Sequence, residues 1–253
     1  SWKEEHAPIF TFTAEDGVRH VAWKIADEEV IATLVNAFED IPNLYIADGH
    51  HRSASAAKVG LMRREQYPNY TGEEEFNFFL SVLFPHDELS IWDYNRVVKD
   101  LNGLSVEQFL KQITQYFYVE EANGSPYKPN EPKSFGMYVN EKWYKLTVKE
   151  ETFDANDLVK GLDVSILQDH LLSQVLEIHD PRSDSRVDFV GGIRGLEELE
   201  RLVNSGAYKA AFSLYPTSME DLLAIADAGE VMPPKSTWFE PKLRSGLFVH
   251  SLK

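Results

Sequence analysis

The strongest chemical signal in the sequence is the polar run Asp-Gly-His-His-Arg at residues 48–52, which follows a short apolar stretch. Gly49 lets the backbone turn sharply, and the alanine-rich residues 53–59 predict a helix directly after it. The first turn of a helix has unpaired N–H groups and the positive end of the dipole, so this position favours an anion. Arg52 can hold two phosphate oxygens at once. We therefore predict a phosphate-binding turn in which Gly49 and Arg52 contact the phosphate.

The same turn contains candidates for proton and phosphoryl transfer. Two adjacent histidines, His50 and His51, add capacity for proton transfer, and each can move a proton or act as a nucleophilic nitrogen. Asp48 can orient an imidazole or hold Mg²⁺ through phosphate oxygens. We assign catalytic roles to these three residues. The alternative is an ordinary strand-to-helix turn with solvent-exposed polar side chains and no chemistry.

A second polar cluster covers residues 179–188 and precedes a Gly-Gly pair at 191–192. Arg182 and Arg186 are candidate phosphate ligands, and Asp188 is a candidate metal ligand together with the aspartate of the first turn. The alternative is a solvated loop in which Arg–Asp pairs contribute little to stability. The residue types leave both interpretations open.

A third candidate is the run Lys235-Ser236-Thr237, which follows two prolines that fix an extended backbone. Its side chains are candidate phosphate ligands. The run resembles the end of a phosphate loop, but the upstream glycines of a Walker A motif are missing. An exposed C-terminal loop is the alternative.

The composition excludes several classes of protein. The 253 residues include no cysteine, which excludes disulfides, zinc–thiolate sites and thiol nucleophiles. The formal net charge of −16 disfavours nucleic acid as a partner. No apolar stretch approaches the roughly 18 residues of a membrane span, and no signal peptide is visible. We expect a cytoplasmic protein whose partner is a small phosphorylated molecule, and the sequence leaves its oligomeric state open.

The elements that must position these candidates alternate along the chain. Turn residues between alternating apolar runs predict a hairpin of strands at 134–139 and 142–148, and Ser105 caps a helix. Continuous apolar runs predict buried strands at 44–47 and 76–84. Further strands are predicted at 18–24, 89–98, 186–190 and 210–214, and further helices at 164–176 and 196–203. This order predicts an α/β fold of the mixed α+β kind with a mixed sheet.

Two more helices begin at recognisable caps. Asp27 precedes a helix, and Thr217 with Glu220 forms a capping box that opens the helix to Ala228. Helical spacing predicts that one face of the first of these helices is buried. That face comprises Val30, Ile31, Leu34, Val35 and Phe38.

Four segments together resemble the DUF1015 family of bacteria and archaea. They are YIADGHHRSASA, HDPRSDSRVDFVGGIRG, AFSLYPTS and ADAGEVMPPKSTWFEPKLRSGL, which extend from the first quarter of the chain to its end. Members of that family are longer at the N-terminus, so the resemblance implies that this chain lacks that region. Ser53 stands where an aromatic residue usually follows the arginine.

The turn at residues 48–52 is also similar to the Gly-x-x-Arg signature of the ParB/sulfiredoxin-like superfamily, which includes CTP-binding partitioning proteins, ATP-using sulfiredoxins and kinases of free serine. This resemblance implies a ParB/sulfiredoxin-like phosphate-binding core at 1–100. An α+β insertion with the hairpin follows at 101–160, and an α/β part at 161–253 completes the site. It also implies a nucleotide (ATP, ADP or CTP) and Mg²⁺ as cofactors.

Three functions remain open at this level. The first is an enzyme that transfers or hydrolyses the phosphoryl group of a small metabolite, for which the resemblance favours serine or phosphoserine. The second is a nucleotide-sensing regulatory module of the ParB-like type, without turnover. The third is a scaffold whose polar turn binds nothing. Fold similarity does not decide among them.

Overall fold

The computed structural model describes residues 2–124 and 126–252. It divides into two compact units, one ending at Ile46 and one beginning at Ala47. Within the described residues, no helix is long and apolar enough to cross a membrane.

The first unit contains two short helices and one hairpin. Helix α1 (Trp2–Glu5) precedes strands β1 (Phe10–Thr13) and β2 (Arg19–Ala22), which pair antiparallel. Helix α2 (Glu28–Glu39) begins after Asp27, whose Oδ1 accepts hydrogen bonds from two backbone N–H groups of the first turn, both at 3.0 Å. The predicted helix and its cap are therefore confirmed.

The predicted burial of one face of α2 is wrong. Four of its apolar side chains, Ile31, Leu34, Val35 and Phe38, are exposed. Helical spacing identifies which residues share a face, but it does not determine whether another element covers that face.

The second unit is built on a six-stranded sheet in which every strand pairing is antiparallel. The spatial order is β5-β7-β6-β9-β4-β8. The strands are β4 (Tyr94–Val98), β5 (Phe117–Glu121), β6 (Ser134–Val139), β7 (Lys142–Val148), β8 (Val187–Gly191) and β9 (Ala210–Leu214).

The mixed α+β class and the hairpin of β6 and β7 are confirmed. The sheet is antiparallel where we expected mixed pairing, because each neighbouring pair is related by a chain reversal rather than by a parallel crossover. Strands from all three predicted segments meet in this sheet, and the segmentation itself stays a prediction.

Helices cover both faces of this sheet. One face, with Val98, Phe135 and Phe212, packs in a cluster with Phe109 of α4 and Leu171 of a π-helix. The other face packs against α6 through Leu199. The helices of this unit are α3 (His50–Gln66), α4 (Val106–Ile113), α5 (Asp163–Ile166) with its continuation as a π-helix (Leu167–Ser173), α6 (Leu196–Asn204) and α7 (Met219–Asp227).

Two short strands outside the main sheet pair with each other. Strand β3 (Ser90–Trp92) lies antiparallel to β10 (Trp238–Glu240), so the C-terminal part of the chain returns to the residues that precede β4. Short 3₁₀ turns occupy Glu75–Asn77, His86–Glu88, Glu150–Thr152 and Gly192–Arg194.

The strands predicted at 44–47 and 76–84 do not form, so both predictions are wrong. Phe78, Leu80 and Val82 are 52%, 53% and 53% exposed, although they belong to the largely apolar stretch at 76–84. A strand needs a neighbouring strand for its backbone hydrogen bonds. The apolar pattern does not report whether such a neighbour is present.

Candidate functional site

Helix α3 begins at His50, directly after the predicted turn. Gly49 occupies the N-cap position with φ of 82° and makes no side-chain cap. The first hydrogen bond within the helix runs from Ser53 N to Gly49 O at 2.9 Å. The backbone N–H groups of residues 50–52 precede that bond, and they are the donors that a helix start offers to an anion.

The guanidinium of Arg52 is folded back over Gly49. A methyl group on Gly49 would lie 3.0 Å from both Nε and Nη2 of Arg52. The absence of a Cβ therefore allows both the left-handed backbone and the close approach of the arginine. This arrangement concentrates positive charge at the start of α3.

Asp48 is held at the same place by two contacts. Its Oδ1 accepts a hydrogen bond from Gly49 N at 2.8 Å, and its Oδ2 lies 3.4 Å from Lys242 Nζ. Partial burial raises the pKa of Asp48, but the Gly49 hydrogen bond and the charges of Lys242 and Arg52 together bring it below its ordinary value. Asp48 is therefore ionised at neutral pH and can accept a hydrogen bond from a ligand hydroxyl.

His50 and His51 are exposed at the first turn of α3. Within residues 2–124 and 126–252, neither imidazole makes a hydrogen bond to another side chain or to the backbone. Both rings are therefore free to meet a ligand from solvent, but no protein group fixes their orientation.

A row of aromatic and cationic side chains leads away from Asp48. Lys242 Nζ lies 5.2 Å from the ring of Trp238, and Trp238 meets the edge of Tyr94 at 5.3 Å between centroids. Lys235 Nζ lies 5.6 Å from the ring of Tyr94 on the same row. Cations over aromatic faces are attracted by the ring quadrupole. A series of side-chain contacts thus connects the turn with the C-terminal candidate segment.

The three residues of that segment have different environments. Lys235 is exposed, and it reaches the aromatic row as described above. Ser236 is buried, and its hydroxyl donates a hydrogen bond to Pro233 O at 2.6 Å. The carbonyl of Ser236 accepts from Thr217 Oγ1 at 3.1 Å, and Thr237 is half-buried. Among the three, Lys235 therefore has the side chain that solvent reaches, whereas Ser236 holds the loop.

The predicted second phosphate clamp lies at the other end of the strands. Arg186 pairs with Asp184 at 2.8 Å, and its carbonyl oxygen accepts from Lys99 N, just past the end of β4. Tyr94 begins β4, about 17 Å from Lys99 at roughly 3.3 Å per residue along the strand. Arg182 pairs locally with Asp180 at 3.1 Å. Among the described residues, neither arginine contacts the turn at Asp48.

The two predicted metal ligands do not share a site. Asp188 accepts a hydrogen bond from the hydroxyl of Tyr208 at 2.8 Å and lies 3.4 Å from Lys99 Nζ, whereas Asp48 is paired with Lys242. Across the described parts of the chain, no three His, Asp or Glu side chains are grouped as metal ligands. The residues present therefore do not form a protein cage for Mg²⁺.

Two residues of the candidate site, Tyr94 and Arg96, were not among those that the sequence singled out, whereas Trp238 directly follows the predicted run at 235–237. Arg96 belongs to a central strand and is buried, at 4% exposure. The signal that could have found it is the pair of polar residues Asn95-Arg96 inside a stretch that otherwise reads as a buried strand. Charged residues are almost never buried without a partner.

A family model described as "Protein of unknown function (DUF1015)" matches residues 1–165. No curated protein matches the chain. Solved structures with a similar course of the chain include a free serine kinase variant in complex with AMP, at 13% identity and a TM-score of 0.42, over 85% of this chain and 81% of that one. A conserved hypothetical protein from Pyrococcus furiosus has 17% identity and a TM-score of 0.43, over 85% of this chain and 84% of that one. A free serine kinase variant in complex with ADP has 16% identity and a TM-score of 0.42, over 85% and 81%.

Proposed function

The chain belongs to the DUF1015 family, and we propose that it binds a nucleotide and transfers or hydrolyses the phosphoryl group of a small metabolite, with serine or phosphoserine as the substrate. The observation that carries the proposal is the contact of Lys242 with Asp48 at 3.4 Å. This contact adds a second cation to a helix start that already presents Arg52.

Phosphate is held in this proposal by two kinds of donor. The backbone N–H groups of residues 50–52 point along the axis of α3 and contribute the positive end of its dipole. The guanidinium of Arg52 and the ammonium of Lys242 add charge-assisted hydrogen bonds. Lys235, at the far end of the aromatic row, contacts another part of the ligand.

The chemical step uses groups of the same turn. In transfer, the acceptor oxygen of the substrate attacks the terminal phosphorus of the nucleotide, and in hydrolysis, a water oxygen attacks the phosphorus of the phosphorylated metabolite. The bond from that phosphorus to the bridging oxygen breaks, and its electron pair stays on the departing oxygen. The proton of the acceptor passes to an imidazole nitrogen of His50 or His51. Asp48 orients the acceptor hydroxyl, because its ionised oxygen accepts the hydrogen bond before transfer. No step is assigned to a metal ion.

The test is a titration of the purified chain with ATP, ADP, CTP, inorganic phosphate and phosphoserine, followed by calorimetry and by the shift in melting temperature. A ligand that binds the folded state raises that temperature by mass action. Arg52→Ala is expected to weaken binding at least about tenfold, because a charge-assisted hydrogen bond contributes roughly 1.5–3 kcal/mol. Arg63→Ala, in the last turn of the same helix, is the matched control.

Each result decides between the three open functions. Binding that Arg52→Ala weakens, with turnover of a phosphoryl donor, supports the enzyme. The same binding without turnover with any acceptor supports the sensor. If none of these ligands binds, or if both arginine variants behave alike, the phosphate site is not at α3.

A further inference from the structure

Arg96 carries a buried charge that has no acidic partner. Its side chain is 4% exposed and lies 5.1 Å from the ring of Phe189. Its guanidinium donates one hydrogen bond to Tyr94 O and one to Lys235 O, the latter at 2.9 Å. Within residues 2–124 and 126–252, no carboxylate forms an ion pair with it.

This arrangement is costly without a further partner. Burial lowers the pKa of Arg96 to about 10, although the nearby Tyr94 favours the charged form, so the guanidinium remains protonated at neutral pH. Removing such a charge from water carries a penalty of several kcal/mol unless an opposite charge is near. Two carbonyl oxygens satisfy part of its hydrogen-bonding capacity but leave its net charge uncompensated.

Lys235 lies beside Arg96 and is also without an acidic partner. Its backbone has φ of 60°, a left-handed conformation that is uncommon for a residue with a side chain. The hydrogen bond from Arg96 to its carbonyl holds that conformation. The ring of Tyr94 lies 5.6 Å from Lys235 Nζ and 6.0 Å from Arg96 Cζ, so two cations share one aromatic ring. In the part of the chain described here, no carboxylate pairs with Lys235.

Lys242, on the same row, differs from Lys235 because it has an acidic partner. It contacts the ring of Trp238 in a similar way, but its charge is matched by Asp48. The chain has a net charge of −16, so acidic side chains are abundant. Two adjacent unmatched cations in such a chain are the arrangement expected where an anionic group of a ligand supplies the missing charge.

We propose that Lys235 and Tyr94, braced by Arg96, form a second anion subsite that takes the carboxylate of the ligand whose phosphate binds at α3. This inference rests on the proposed function and deepens it, because it assigns the carboxylate of the proposed substrate to named residues. Lys235 contacts the carboxylate. Arg96 is a positioning residue, because it fixes the backbone of Lys235 and adds the positive potential of its buried guanidinium to the subsite.

The test compares two probes that differ by one group. Phosphoserine and phosphoethanolamine share the phosphate and the amine, but only phosphoserine carries a carboxylate. Calorimetric titration of the whole chain is expected to give roughly tenfold tighter binding of phosphoserine, as for one charge-assisted hydrogen bond. Lys235→Gln is expected to abolish that preference and leave the affinity for phosphoethanolamine unchanged.

The controls separate position from charge. Lys149→Gln removes a lysine that lies 5.4 Å from the ring of Tyr118, and it is expected to leave the preference intact. Arg96→Gln is expected to reduce the preference of folded protein for phosphoserine, and Arg96→Lys to restore part of it. If Arg96 had only a structural role, Arg96→Gln would reduce the affinity for both probes equally. Because Lys235 is exposed, its variant tests the subsite even if Arg96→Gln fails to fold.

The outcomes distinguish the two proposals. If neither probe binds, the proposed function fails and the subsite fails with it. If both bind equally, or if Lys235→Gln weakens both alike, the phosphate site stands and the carboxylate subsite is overturned. Lys235→Gln could instead reduce the affinity for ADP more than the affinity for AMP and leave the preference for phosphoserine intact. In that case the subsite takes a second phosphate, and the carboxylate assignment is wrong.

Discussion

Lys242 Nζ lies 3.4 Å from Asp48 Oδ2, although 194 residues of chain separate the two. The contact joins the start of α3 to the segment that follows β10. Both side chains are substantially exposed, at 42% and 56%, so the pair adds little to stability. In the proposed site, the contact sets the charge that a phosphate would meet at the helix start.

The pH dependence of the Asp48 contribution follows from its lowered pKa. A carboxyl group whose pKa is lower in the folded state stabilises the fold above its ordinary pKa of 3.8, and this contribution disappears as the pH falls through the folded value. We expect Asp48→Asn to lower the free energy of unfolding by less than about 1 kcal/mol at pH 7. The difference from wild type should shrink below pH 3.8 in urea titrations. A difference that stays constant down to pH 3, or grows, would contradict the role of the ionised form.

Gly49→Ala is expected to affect both stability and binding. An alanine at φ of 82° costs about 1–2 kcal/mol, and its methyl group would press on the guanidinium of Arg52. Gly206→Ala is the matched control, because Gly206 has φ of 79° and open space around a Cβ. Urea denaturation should show similar losses for the two variants, while only Gly49→Ala should weaken phosphate binding. Equal phosphate affinity of the two would mean that the position of Arg52 does not matter.

Gly191→Ala is expected to displace the ring of Trp238. A Cβ at Gly191 would lie 2.8 Å from Cε3 of Trp238, and overpacking of this kind costs about 1–3 kcal/mol. The cause can be isolated with Trp238→Leu in a double-mutant cycle measured by urea denaturation. We expect the losses in free energy of unfolding to be less than additive, because the smaller side chain of leucine relieves the clash. Strict additivity would refute a direct contact as the source of the loss.

Asp163 is expected to show the opposite pH dependence. Burial raises its pKa, although Lys133 opposes the shift. A raised folded pKa means that the contribution of Asp163 is fully present below 3.8 and is lost as the pH rises through the folded value. The stability of wild type relative to Asp163→Asn should therefore fall from acidic to neutral pH in urea titrations. A rise over the same range would show that the ion pair with Lys133 outweighs burial.

Replacement of Asp163 by alanine removes the carboxylate together with its hydrogen bonds. Its carboxylate accepts from Lys133 N at 3.0 Å and lies 3.2 Å from Lys133 Nζ. Asp163→Ala leaves the backbone N–H of Lys133 unpaired, while the Lys133 ammonium keeps the carbonyl of Gly161 as an acceptor, and the loss of a buried acceptor costs about 1–3 kcal/mol. A loss below about 1 kcal/mol in urea denaturation would indicate that water replaces the carboxylate.

The sequence by itself determined the local elements of this protein. Asp27 and Ser105 cap their helices as predicted, and the hairpin of β6 and β7 forms at the expected residues. The capping box of α7 is displaced by one residue, to Ser218 and Asp221. Such features depend on contacts within a few residues of chain, so the residue types are sufficient to specify them. The turn at residues 48–52 belongs to this group.

Only the tertiary structure decided which candidates meet. The pairing of β10 with β3 returns the C-terminal segment to the start of β4, whereas the register of β8 on β4 carries Arg186 to the opposite end. The guanidinium of Arg96 donates a hydrogen bond to the carbonyl of Lys235, which lies 139 residues further along the chain. Local propensity contains no information on pairing at this distance, because register is fixed by the burial of the whole sheet rather than by any one segment.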